Sequence, residues 1–81
     1  MKPRPIAPPF LVEDVAERHH VYPPKLVLSE SRARHVVAAR HELAFILSDE
    51  YGWSSETIAQ ALGWADHSTA LRAIKKGQKW A

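Results

Sequence analysis

The stretch from Ser54 to Lys76 constrains this chain most. Two short amphipathic runs, Ser55 to Leu62 and His67 to Lys76, are separated only by Gly63-Trp64-Ala65-Asp66. In the first run Ile58, Ala59 and Leu62 give a buried side, with Ser54 or Ser55 as cap and Glu56 in the first turn. In the second, Asp66 is a good N-cap, because its carboxylate can accept from the first free backbone N–H groups. Ala70, Leu71 and Ile74 then fall at helical spacing as one apolar stripe, opposite Arg72, Lys75 and Lys76. His67 and Ser68 sit at the tip of the first turn. Two short helices joined by a tight turn with a glycine make the helix-turn-helix pattern.

The rest of the chain is organised by its prolines. Pro3, Pro5, Pro8 and Pro9 forbid a continuous helix and disfavour a strand, which predicts an extended, mobile tail over residues 1–9. A helix follows from Phe10 to His20, with Phe10, Leu11, Val15, Ala16 and His19 marking the buried face and Glu13, Asp14 and Glu17 facing water. Tyr22-Pro23-Pro24 breaks it. Lys25 to Ala33 reads as a connection in which Leu26 and Leu28 tuck under and Ser29 or Ser31 caps what comes next. The longest helix is expected from Arg32 to Tyr51, with Val36, Leu43, Ile46, Leu47 and Tyr51 near 3.6-residue spacing and Gly52 just past its end. No strand-like alternation and no internal repeat is present. The expectation is a single all-α domain of four helices over residues 10–81, behind the tail at 1–9.

Composition narrows the function. Eighty-one residues allow one small core. There is no cysteine, hence no disulfide scaffold and no Cys-based zinc site. No apolar run approaches the ~20 residues of a membrane span, and the basic start is not followed by the apolar core of a signal peptide. A cytoplasmic location is the default expectation. Net charge is +2, with a pI near 9.2, but the basic residues cluster. Lys25, Arg32, Arg34 and Arg40 face only Glu30 in their segment, and Arg72, Lys75, Lys76 and Lys79 face only Asp66 in theirs. Brought together, they would make the local positive field that phosphate binding needs.

Other chemistries fit poorly. His41-Glu42-Leu43-Ala44-Phe45 lacks the second histidine of the zinc helix motif, and no metal or other cofactor is expected. The three glycines are isolated and no phosphate-loop motif for ATP exists. Asp66, His67 and Ser68 on one helix turn cannot align as nucleophile, base and orienter, so no enzyme activity is expected.

Recognition of double-stranded DNA remains, since a helix with a polar, hydrogen-bonding tip and a basic flank suits the major groove. His67 can donate or accept at a base edge. Asp66 can accept from a cytosine amino group, and Ser68 or Thr69 can serve either kind of base atom. Arg72, Lys75 and Lys76 would reach phosphates, which set register without carrying sequence information. Arg40, among small neighbours, is expected to reach outward. A rival reading makes Trp53, Trp64 and Trp80 an exposed patch for a protein partner, which the proline-rich tail could also engage. A third is a transcriptional regulator of the same fold with an unrelated operator.

From Val15 to Lys76 the chain resembles the C-terminal origin-binding domain of the bacterial chromosomal replication initiator, DnaA. The resemblance rests on Val15-Ala16-Glu17, the Ser29-to-Arg34 loop, Val37-Ala38-Ala39-Arg40 and above all Asp66-His67-Ser68-Thr69. It implies a Trp-repressor-like helix-turn-helix that reads an asymmetric origin box and acts in replication initiation or its regulation. Asp66, His67 and Ser68 would meet base edges, with Thr69 beside them at the backbone. Arg40 would enter the adjacent minor groove, where narrow A·T-rich tracts attract arginine, and Arg32 and Arg34 would hold phosphates. Ala65 stands where the family has a basic residue, and Ser68 where threonine is common. The loop from Tyr22 to Glu30 is one residue longer and carries Glu30. These departures imply an altered sequence preference. The initiator's ATPase domain has no counterpart here, so the resemblance implies either an excised domain or a free-standing relative. The proline-rich tail from Met1 favours the latter, which would compete for initiator boxes or regulate transcription.

Overall fold

Eight side chains are almost wholly withdrawn from water: Val15, Val21, Val27, Val36, Leu43, Leu47, Ile58 and Leu62. Ala70 and Ala73 of the last helix pack into the same cluster, so one core joins all the helices. The computed structural model describes residues 5–80. Four α-helices run Pro9–Arg18 (α1), Arg34–Asp49 (α2), Ser55–Leu62 (α3) and His67–Gly77 (α4), with 3-10 segments at Pro24–Leu28 and Gln78–Trp80. Among the described residues there is no strand, and no helix is long and apolar enough to cross a membrane.

Of the predicted tail, Met1–Arg4 lies outside the described residues. Ala7 is buried, and Pro9 opens α1, where the missing N–H costs nothing. Helix α1 stops at Arg18, two residues short of the expected end. His19 and then His20 follow, and His20 takes a left-handed backbone with φ +56°. The His20 amide donates to the Glu17 carbonyl (3.2 Å) and the Val21 amide to the Ala16 carbonyl (2.8 Å). This is the Schellman closure, with Val21 as its buried hydrophobic contact. Helix α3 ends the same way: Gly63 is left-handed (φ +76°), and the Trp64 amide donates to the Ala59 carbonyl at 2.8 Å.

The expected connection contains a 3-10 segment that buries Val27, with Leu26 half-buried and Leu28 exposed. Neither Ser29 nor Ser31 caps α2. The Ser29 hydroxyl donates to the Leu26 carbonyl and the Ser31 hydroxyl accepts from the Ala33 amide, so α2 starts at Arg34 with no side-chain cap. At its other end α2 stops at Asp49, and Gly52 is left-handed with φ +68°.

Ser54 caps α3 by accepting from the Thr57 amide (3.2 Å), and Asp66 caps α4 by accepting from the Ser68 amide (2.9 Å). Helix α4 packs mainly on α2 and next on α3. Its buried positions are Ala70, Ala73 and Gly77, with Ile74 half-buried. Leu71, expected in the stripe, is 52% exposed. The small residues at i, i+3 and i+7 let α4 lie close against α2, and that turns Leu71 outward.

Candidate nucleic-acid interface

Helix α4 is held from behind and open in front. Its first turn is fixed by Asp66: besides the bond from the Ser68 amide, the Asp66 backbone carbonyl accepts from the Thr69 amide at 3.1 Å. The Asp66 carboxyl is held below its usual range by hydrogen bonds from the Ser68 backbone and side chain, helped by His67 and Arg72. It is therefore a carboxylate at neutral pH. His67 Nδ1 stands 3.6 Å from Asp66 Oδ1, and both side chains are more than half exposed. The tip presents a carboxylate, an imidazole and, half-buried behind them, the Ser68 hydroxyl.

Positive charge borders this helix on both flanks. Thr69, Arg72 and Lys76 fall at i, i+3 and i+7 on one side, and Ser68, Leu71 and Lys75 on the other. Arg72, Lys75 and Lys76 are all exposed. On the first flank a cleft of about 570 Å³ separates α4 from the residues leading into α2, and Arg32, Thr69, Arg72 and Lys76 line it. One cleft thus brings exposed Arg32 of the first basic cluster together with Arg72 and Lys76 of the second, with Glu30 at the same wall. Arg34, also exposed, lies in a neighbouring groove that again includes Arg32 and Lys76.

Arg40 is a correction. It was expected to reach outward into a minor groove, but it is only 4% exposed. Its guanidinium donates from Nη1 to the Val27 carbonyl (3.1 Å) and to the Ser29 carbonyl, and from Nη2 to the Leu62 carbonyl (2.6 Å). Its carbon Cζ lies 5.1 Å from the centroid of the Trp64 ring. A buried guanidinium needs partners, and two carbonyls of the Val27–Ser29 turn and one at the end of α3 supply them. Arg40 ties the Val27–Ser29 turn to the end of α3 and so sets the platform under α4. Burial pushes its pKa down, with Glu30 opposing.

The tryptophans are also placed otherwise than the rival reading needs. Trp53 and Trp64 are partly buried against the core, and only Trp80 is exposed, at 43%. Trp80 folds back so that its ring meets the His19 ring edge-on at 4.9 Å between centroids. His19 Nε2 in turn lies 2.7 Å from the buried Glu42 carboxylate, which also pairs with Arg18. Sequence reasoning missed this cluster and the position of His41 beside the cleft. A polar residue inside the apolar run of α2 was the available signal. Among the described residues no group of three or more His, Asp and Glu side chains is placed to hold a metal ion.

A compact all-α fold whose last two helices form a capped, basic, outward-facing helix-turn-helix is the architecture of a DNA-binding domain. The chain belongs to the bacterial DnaA protein helix-turn-helix family, whose pattern it matches over residues 10–76. No curated protein and no solved structure matches the chain.

Proposed function

We propose that the protein binds double-stranded DNA sequence-specifically, with α4 in the major groove of a box of the kind the DnaA initiator recognises, and so takes part in replication initiation or its regulation. The observation that carries this reading is the exposed first turn of α4, Asp66 and His67, bracketed by Arg72 and Lys76 on one flank and Lys75 on the other. A helix lying in a groove has a phosphate wall on each side, so cations on both flanks match it. Asp66, His67, Ser68 and Thr69 are the base-reading set in this reading. Arg32, Arg34, Arg72, Lys75 and Lys76 are the phosphate set. Arg40 supports the fold and is not among the contacts.

Selection from random duplex DNA is the decisive test. Enrichment of initiator boxes supports the replication reading. Enrichment of an unrelated sequence makes the protein a transcriptional regulator on the same fold. A pool with no enrichment removes sequence-specific recognition altogether.

A further inference from the structure

A second groove, of about 820 Å³, lies where the end of α1, the start of α2 and the end of α4 meet. Its cations are Arg18, Arg32, Arg34, Lys76 and Lys79, and no carboxylate lines it. Among the described residues Arg32, Arg34, Lys76 and Lys79 make no ion pair, whereas Arg18 is taken up by Asp14 and Glu42. The resulting field acts on a neighbour: the His41 pKa is lowered first by burial, then by Lys76, Lys79 and Arg40. Holding like charges together opposes folding, and a polyanion offsets that opposition.

The wall formed by the chain after α4 is docked and not frayed. Lys79 Nζ sits 5.2 Å from the Trp80 ring centroid, and Trp80 is anchored on His19, so the 3-10 segment after α4 is docked. His20, on the groove, holds a left-handed backbone where glycine would be less strained. The same closure in α3 uses Gly63. Lys79 and Trp80 also lie beyond the segment matched by the family.

The groove is continuous with the cleft beside α4, because Arg32, Val37, His41 and Lys76 line both. We infer that it binds the sugar-phosphate backbone of the same duplex, just outside the bases that α4 reads, with Lys79 as a phosphate contact held in place by Trp80. The inference rests on the DNA-binding reading above and extends its footprint.

The test uses the full chain and two duplexes: one trimmed to the selected box, and one carrying about one helical turn (~10 bp) more on each side. The longer duplex should bind the wild type several-fold more tightly. Lys79→Gln should remove most of that gain and lower the slope of log affinity against log salt by about 1. Lys79→Glu should go further, and neither should change the ratio of box to scrambled DNA. Equal affinity for both duplexes, with a slope untouched by Lys79→Gln, overturns the inference and leaves α4 recognition standing. Failure to bind either duplex overturns both readings. Tighter, Lys79-dependent binding of a single strand of equal length also overturns it, by assigning the groove to unpaired DNA.

Discussion

Gly77, in the last turn of α4, lies directly against the backbone of His41 in α2. A β-carbon at Gly77 would fall 1.9 Å from the His41 carbonyl oxygen and 2.9 Å from the Phe45 β-carbon. This contact fixes how close α4 can approach α2. It also brings Lys76 near His41, where its charge is felt.

Gly77→Ala should therefore destabilise the protein although alanine is the better helix former. Its propensity gain of about 1 kcal/mol is outweighed by a clash with backbone that cannot step aside, for a net loss of about 1–3 kcal/mol. Urea unfolding measures this, and a stabilised variant would mean that α2 and α4 are not in contact here.

Arg40 carries a second prediction. Arg40→Ala leaves the Val27, Ser29 and Leu62 carbonyls without their donor and should cost on the order of 3 kcal/mol. Arg40→Lys should recover only part, because an ammonium cannot span the Val27 carbonyl and the Leu62 carbonyl at the end of α3 as a planar guanidinium does. Measured below its unfolding transition, Arg40→Ala should keep its preference for the box over scrambled DNA. A selective loss of that preference would restore Arg40 to base readout.

His67 and Lys76 should separate recognition from affinity. His67→Ala should lower the box-to-scrambled ratio about 5- to 100-fold, the value of one good base contact. Lys76→Ala should weaken both DNAs alike and reduce the salt slope by about 1. Mobility shifts across a salt series report both quantities. An equal loss on both DNAs for His67→Ala would take it out of base reading.

The stability of the free protein should fall on mild acidification because of His41. Its folded pKa lies below the ordinary 6.5, so the unfolded chain takes up a proton first as the pH drops. The contribution of neutral His41 is complete above pH 6.5 and is lost as the pH falls from there toward the folded pKa. His41→Gln should flatten this limb of the stability profile. Bound DNA should flatten it only in part, since phosphates beside Lys76 and Lys79 offset the charges that lower the pKa but not burial, which is the larger cause. Thermal unfolding at a series of pH values, with and without duplex, would show it. An unchanged profile in His41→Gln would assign the acid limb to another group.

The sequence by itself determined what acts within a turn or two of the chain. Ser54 and Asp66 cap their helices because a side-chain oxygen needs only the amides two or three residues on. Gly63 closes α3 because it takes a left-handed backbone without strain, and the prolines place the breaks. The four helices, the helix-turn-helix and the exposed polar tip of α4 were legible in this way. Tertiary structure alone decided matters that depend on distant partners. Arg40 looked free among small neighbours, but one of its acceptors is Leu62, 22 residues away. Leu71 fits the apolar stripe by spacing, yet the crossing through Ala70, Ala73 and Gly77 selects the other flank. His19 and Glu42 are 23 residues apart and acquire their partnership only when α1 meets α2. Periodicity says which residues share a face of a helix, but only packing says which face is covered and where a buried charge finds its acceptors.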